Sequence, residues 1–253
     1  MAKKIRIGKE IKFLPTCQST NSLLMQMTLQ DGTQNGSVIV TEDQTAGRGQ
    51  RGNGWESEPG ANLTFSIALK PEIIHLSEQF YLSMVIALGI YKVLKQYIPQ
   101  DELQLKWPND ILVGKQKICG ILIENVIKQG RMEWSVIGIG LNVNQIEFEL
   151  DRAISLAMIC GQPFDKQEIL RLILQSIEQE YTNLAMGRQQ ALKTDYLNAL
   201  YGYEQVCSYE DLNGKVIEGE IVDVEDQGPL VLKVNGKLQR YQFKEIKFLS
   251  LEE

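Results

Sequence analysis

Lys106-Trp107-Pro108-Asn109-Asp110 is followed, seven residues beyond Asp110, by Lys117 and then by Gly120. Leu103 and Leu105 ahead of it alternate as in a strand. Pro108 stops ladder pairing, and Asn109-Asp110 suits a turn. A short hairpin at Gly114-Lys115 then returns the chain, so Asp110 and Lys117 are expected to meet across it. A carboxylate and an ammonium held together beside a tryptophan can position an amine and an anionic group. The same spacing also fits a solvated hairpin with an ordinary ion pair.

A second segment, Gln44 to Trp55, follows the apolar run Val38-Ile39-Val40, which reads as a buried strand. Its glycines (Gly47, Gly49, Gly52, Gly54) let backbone N–H groups approach a ligand closely. Arg48 and Arg51 add planar donor forks suited to phosphate or carboxylate. The segment is thus a candidate anion cradle, or else a mobile surface loop with incidental charge. It is not expected to act as a Walker loop, because no Gly-Lys-Ser/Thr follows, nor as a dinucleotide-binding turn.

Together the two segments resemble the biotin–protein ligases, also called biotin–acetyl-CoA-carboxylase ligases. Further landmarks follow in that family's order: Ser19-Thr20-Asn21 ahead of the first helix, Gly60-Ala61-Asn62-Leu63, the run Lys117 to Glu124, and the run Gly138 to Asn144. They cover roughly residues 14 to 160. The resemblance implies an α+β fold related to class II aminoacyl-tRNA synthetases, with a mixed sheet, flanking helices and a small C-terminal β-barrel. It implies ATP, Mg²⁺ and biotin as reactants and a biotin carboxyl carrier domain of a carboxylase as partner. In the implied reaction the biotin carboxylate attacks the α-phosphate of ATP, and a carrier lysine then attacks the biotinyl-5′-AMP. Neither step needs an enzyme nucleophile.

Carried over residue by residue, the resemblance makes Lys117, Arg48 and Asp110 the catalytic candidates. Biotin contacts fall to Ser19, Thr20, Asn21, Gln44, Gly47, Arg48, Gly49, Gln50, Lys117 and Gly120. Contacts to ATP or the adenylate fall to Arg48, Arg51, Trp55, Lys117 and Asn142. No side chain is assigned to the metal, which is expected to arrive with ATP. Ser19 and Thr20 serve equally as helix caps, and Asp110 as an Asx turn. Trp55 and Trp107 are either walls of the site or core. Many relatives carry a second arginine where this chain has Gln50, which brings a hydrogen-bonding group but no charge. A lipoate ligase or octanoyl transferase of the same fold, or a non-catalytic binder, are the rival readings.

Several elements must position these residues. Residues 5–14 form a weak opening strand, and Ser19 or Thr20 caps a helix to about Leu29. Leu63 to Leu69 alternate as a half-buried strand, and Ser77 opens a helix to about Tyr97. Strands follow from Lys117 to about Ile127 and from Trp134 to Val143, turning at Gly130-Arg131. Helical spacing runs over 166–186 and again over 190–201. After Gly202 short β runs alternate with turns at Asn213-Gly214, Gln227-Gly228-Pro229 and Asn235-Gly236. The expected organisation is a catalytic domain over 1–202 and a small barrel over 203–253.

Composition narrows the partners. The chain has 253 residues and a net charge of −6, which disfavours general nucleic-acid binding. No apolar run reaches membrane-spanning length, and no signal peptide is evident, so a cytoplasmic protein is expected. Too few residues precede Ser19 for a helix-turn-helix, so no DNA-binding repressor role is expected. Cys17, Cys119, Cys160 and Cys207 show no metal-ligand spacing, and His75 is alone, which removes His-pair zinc chemistry. The sequence fits a monomer or a homodimer.

Overall fold

Period-two patterning, turns and one long apolar helix build a seven-stranded mixed sheet. The computed structural model describes residues 5–30, 32–50, 54–149 and 152–251. The strands are β1 (Ile11–Cys17), β2 (Val38–Gln44), β3 (Leu63–Leu69), β4 (Leu103–Lys106), β5 (Asp110–Val113), β6 (Gln116–Lys128) and β7 (Arg131–Leu141), in the order β1-β2-β3-β7-β6-β5-β4. β1 and β2 are parallel, and the other pairs are antiparallel. This is the mixed sheet that the resemblance implied.

The two faces of β3 separate core from site. Phe65, Ile67 and Leu69 join the main core beneath α2 (Phe80–Leu94), α4 (Lys166–Ala185) and α5 (Gln189–Asn198). Ala68 faces the other way and packs with Ile39, Trp134 and Val136 against Leu24 of α1 (Thr20–Thr28). All seven β3 residues are buried, because helices cover one face and α1 with the glycine loop covers the other.

Several boundaries differ from expectation, and one helix is additional. The opening strand begins at Ile11, where pairing with Val38 starts; Gly8, at φ +77°, turns the chain just before it. The second helix starts at Phe80 rather than Ser77, after a single 3-10 turn at Leu76–Glu78 that follows the exposed His75. The Phe80 N–H donates to the Asp226 carbonyl at 3.0 Å, so a distant loop takes over the capping task. A five-residue helix, α3 (Leu156–Cys160), was not anticipated; Ser155 caps it and Gly161 in the left-handed region ends it.

The C-terminal strands β8 (Val206–Asp211), β9 (Val216–Val224), β10 (Leu230–Val234), β11 (Lys237–Tyr241) and β12 (Ile246–Phe248) form an antiparallel sheet ordered β11-β10-β9-β8-β12. The hairpin-rich strand content is as expected. Among the described residues the pairing leaves β11 and β12 at opposite edges, so the strands form a sheet rather than a closed ring. Trp107, in the β4–β5 turn, ties this sheet down: its Nε1–H donates to the Gly228 carbonyl at 2.9 Å, and its ring lies 5.3 Å from that of Phe243. At 2% exposure Trp107 is a core residue that shows only an edge to the site. No described helix is long and apolar enough to cross a membrane.

Candidate functional site

The centre of the site is a strip of sheet with few side chains. Asp110 on β5 stands directly across from Gly120 on β6, Gly120 from Gly140 on β7, and Gly140 from Thr64 on β3. The Trp55 indole lies on the two glycines. A Cβ at Gly140 would stand 2.2 Å from Trp55 Cε2, and one at Gly120 3.0 Å from Cζ3. One step along the strands, a Cβ at Gly138 would meet Asn21 Oδ1 at 2.5 Å. Glycine is required at 138 and 140 because an indole and an amide occupy the space of a side chain.

The first turn of α1 stands beside this strip. Ser19 Oγ accepts the Ser22 N–H at 3.4 Å, so the capping reading of Ser19 holds. Thr20 donates to Gln44 Oε1 twice, from its backbone N–H at 2.8 Å and from its hydroxyl at 3.1 Å. Ser66 Oγ lies 2.7 Å from both Thr20 Oγ1 and Asn21 Oδ1. Ser19, Thr20, Asn21 and Ser66 are all buried, which makes this a satisfied polar cluster rather than a solvated helix end.

The charged groups sit at the rim. Lys117 Nζ lies 2.6 Å from Asp110 Oδ1 and 5.5 Å from the centre of the Trp55 ring. The Lys117 backbone is held on both sides, donating to Arg152 O at 2.7 Å and accepting from Ile154 N at 3.1 Å. Leu112, not Asp110, stands opposite Lys117, and a register shift between Ile111 and Leu112 puts Gly120 rather than Cys119 opposite Asp110. Arg48 Nη2 lies 2.7 Å from Glu124 Oε2. The loop that carries Arg48 closes on itself: Arg48 bridges to Gly54, and Trp55 N–H donates to Gly47 O at 3.1 Å. Gly47, Gly49 and Gly52 have the spacing of a dinucleotide fingerprint. That fingerprint opens a helix, whereas here Gly54 and Trp55 return to pair with Arg48 and Gly47.

Two cavities share these walls. One, of about 400 Å³, is bounded by Ser19, Thr20, Asn21, Gln44, Arg48, Gly49, Gln50, Trp55, Asp110, Lys117 and Gly120. The other, of about 840 Å³, shares Gln50, Trp55, Asp110 and Lys117 and extends to Asn142, Lys106 and Arg152. Lys244, Lys247 and Phe248 of the C-terminal sheet close it from above. Asn142 is 3% exposed; its amide N–H₂ donates to Ile154 O at 3.1 Å and Lys117 O at 3.4 Å. Asn142 Oδ1 and Trp55 Nε1 are buried with no hydrogen-bond partner among the described residues. An acceptor and a donor left open beside a cavity suit a ligand that carries both.

The structure thus gathers nearly every expected residue around two connected cavities. Gly47 stands behind the wall, against Trp55 O, and Arg51 lies outside the described residues. Sequence reasoning gave no role to Ser66, Glu124, Gly138, Gly140 or Lys244. Part of the signal was present: Gly138 and Gly140 are two apart on one strand face, as are Gly120, Leu122 and Glu124. Cys119 is fully buried and burial pushes its thiol up, so it supplies no thiolate to the site. Among the described residues no three His, Cys, Asp or Glu side chains cluster as a metal site.

Comparison with known proteins agrees with this geometry. The biotin/lipoate A/B protein ligase family matches residues 13–142. The chain is 30% identical over 222 residues to the biotin–[acetyl-CoA-carboxylase] ligase of Mycobacterium tuberculosis, covering 87% of this chain and 81% of that protein. It is 29% identical over 210 residues to the bifunctional ligase/repressor BirA of Bacillus subtilis, covering 81% of this chain but only 64% of that longer protein. Among solved structures, the biotin protein ligase of Aquifex aeolicus in complex with biotin and ATP superposes with a TM-score of 0.78 at 25% identity, over 94% of this chain and 98% of that one. With the family match spanning just over half of its length, the chain belongs to the biotin/lipoate A/B protein ligase family, among the biotin–protein ligases.

Proposed function

We propose that this protein activates biotin with ATP to biotinyl-5′-AMP, releasing pyrophosphate, and transfers the biotinyl group to one lysine of a biotin carboxyl carrier domain. One observation carries the reading: a single cavity is walled both by cations, Arg48 and Lys117 with Lys244 at its edge, and by the hydroxyl and amide groups of Ser19, Thr20 and Gln44. The neutral ureido ring needs only the second set. The cations are called for by a carboxylate that must approach a phosphate. Arg48 and Lys117 offset the repulsion between those anions and stabilise charge on the pentavalent phosphorus. Glycine at 120 and 140 leaves room for the Trp55 indole, which walls the cavity that takes the flat bicyclic ring in this reading.

The larger cavity holds the nucleotide in this reading. Asn142 Oδ1 accepts from the adenine amino group, and the Trp55 ring packs on the base. Mg²⁺ enters with ATP, held mainly by phosphate oxygens and water. The segment 1–202 is the catalytic unit, and 203–253 roofs the nucleotide through Lys244 and Lys247. In the second step the carrier amine attacks the activated carbonyl, AMP leaves, and the amine proton passes toward Asp110, while Lys117 steadies the carbonyl oxygen.

The test is to supply ATP with labelled biotin or lipoate and a carrier domain, and to follow pyrophosphate release and label transfer separately. Biotin, not lipoate, is expected to support pyrophosphate release, and its label is expected to reach the carrier as AMP leaves. Transfer of lipoate instead, or tight biotin binding with no pyrophosphate, overturns the reading. Asp110→Asn should leave adenylate formation near normal and slow transfer by about 10²-fold, the usual contribution of a positioned acid or base. The amide keeps the size of Asp110 and removes its charge, so an equal fall in both half-reactions in single turnover would move Asp110 to the nucleotide.

A further inference from the structure

Glu124 is a carboxylate bonded to two residues that line the smaller cavity, Arg48 and Asn21, beside a site that in the reading above receives a carboxylate and a phosphate. It lies on the same face of β6 as Gly120 and Leu122, across from Val136. Its Oε2 accepts from Arg48 Nη2 at 2.7 Å and from Asn21 Nδ2 at 2.9 Å. Asn21 is 3% exposed and is itself fixed, donating also to Leu122 O at 3.2 Å and accepting from Ser66 Oγ at 2.7 Å. An ordinary surface ion pair joins two mobile side chains and contributes little. Here one partner is fastened to a buried amide, so the Arg48 guanidinium, though half exposed, hangs from a rigid chain of hydrogen bonds.

We propose that Glu124 is the positioning residue for Arg48, holding one edge of its guanidinium so that the remaining donors meet the reacting carboxylate and α-phosphate already oriented. The inference rests on the ligase reading above. Two effects of the Glu124 charge oppose each other. Repulsion from the incoming anions weakens ground-state binding, whereas an arginine with its rotamer fixed beforehand loses less freedom as the transition state forms. Removing the charge while keeping the shape therefore separates kcat from KM. A role confined to folding would not.

The experiment measures pyrophosphate release by wild type, Glu124→Gln, Arg48→Ala and the double variant, with biotin and ATP varied in turn. Glu124→Gln is expected to lower kcat about tenfold, in line with the loss of one charge-assisted hydrogen bond, with KM for biotin and ATP unchanged or lower. Glu124→Asp should recover part of the rate. In the Arg48→Ala background, Glu124→Gln should change the rate less than about twofold, because coupled residues are not additive. A normal kcat in Glu124→Gln, a change in KM alone, or a full tenfold loss on top of Arg48→Ala overturns the positioning role and leaves the ligase reading standing. Failure of wild type to release pyrophosphate with biotin overturns the ligase reading, and this inference with it.

Discussion

Lys117→Ala is expected to slow adenylate formation by about 10²–10³-fold, the usual cost of removing one preorganised charge from a transition state. The ammonium belongs to both cavities and lies 2.6 Å from Asp110, which in the proposed reading is where biotin and nucleotide meet. Alanine removes that charge and leaves Asp110 uncompensated beside the phosphates, which adds to the loss. The fold should survive. Lys117 is held by its backbone bonds to Arg152 and Ile154, which alanine keeps, and its side chain is 35% exposed, so the ion pair itself adds little stability. Pyrophosphate release in a single turnover is the measurement, with circular dichroism to verify folding. Release near the wild-type rate would remove Lys117 from the chemistry.

Trp107→Ala should be the most destabilising single change in the β4–β5 turn, costing about 3–5 kcal/mol. That is a large share of the roughly 5–15 kcal/mol that holds a typical domain folded. The indole is buried against Phe243, and its N–H is the partner of the Gly228 carbonyl. Removing it leaves a cavity and an unsatisfied acceptor between the two sheets. Trp107→Phe keeps most of the ring and loses the hydrogen bond, so it should cost only about 1–3 kcal/mol. Urea denaturation of both variants gives the comparison. A loss below about 1 kcal/mol for the alanine variant would mean that the C-terminal sheet is not anchored through this side chain.

The sequence was most legible where local patterns suffice. Alternation in Leu63–Leu69 and the turn at Gly130 mark β3 and the β6–β7 hairpin, and the hairpin at Gly114-Lys115 brings Asp110 to Lys117. The motif order pointed to the family and to most of the cavity walls. What stayed hidden depends on tertiary partners. The start of α2 is set by the Asp226 carbonyl, which no helix-capping rule at Ser77 can anticipate. The register shift at Ile111/Leu112 places Gly120 opposite Asp110, and only the paired strands reveal it. Glu124 reads as one more charge on a strand until Asn21 and Arg48 are seen to share its oxygen. The edges of the C-terminal sheet likewise depend on pairing that short β runs do not encode.

The seat of Trp55 on Gly120 and Gly140 also equips the protein with an optical reporter. Of its three tryptophans, Trp107 is buried and shows only an edge to the larger cavity, and Trp134 packs with Leu24, Ile39 and Val136 beneath the Lys70 ammonium, on the walls of neither cavity. Trp55 alone among them lines both cavities, and the Lys117 ammonium that faces its ring lines them too. Ligands that enter either cavity change the polarity and the charge around that one indole. Its emission colour and quenching therefore follow site occupancy above the background of the two more deeply packed indoles, without any attached dye.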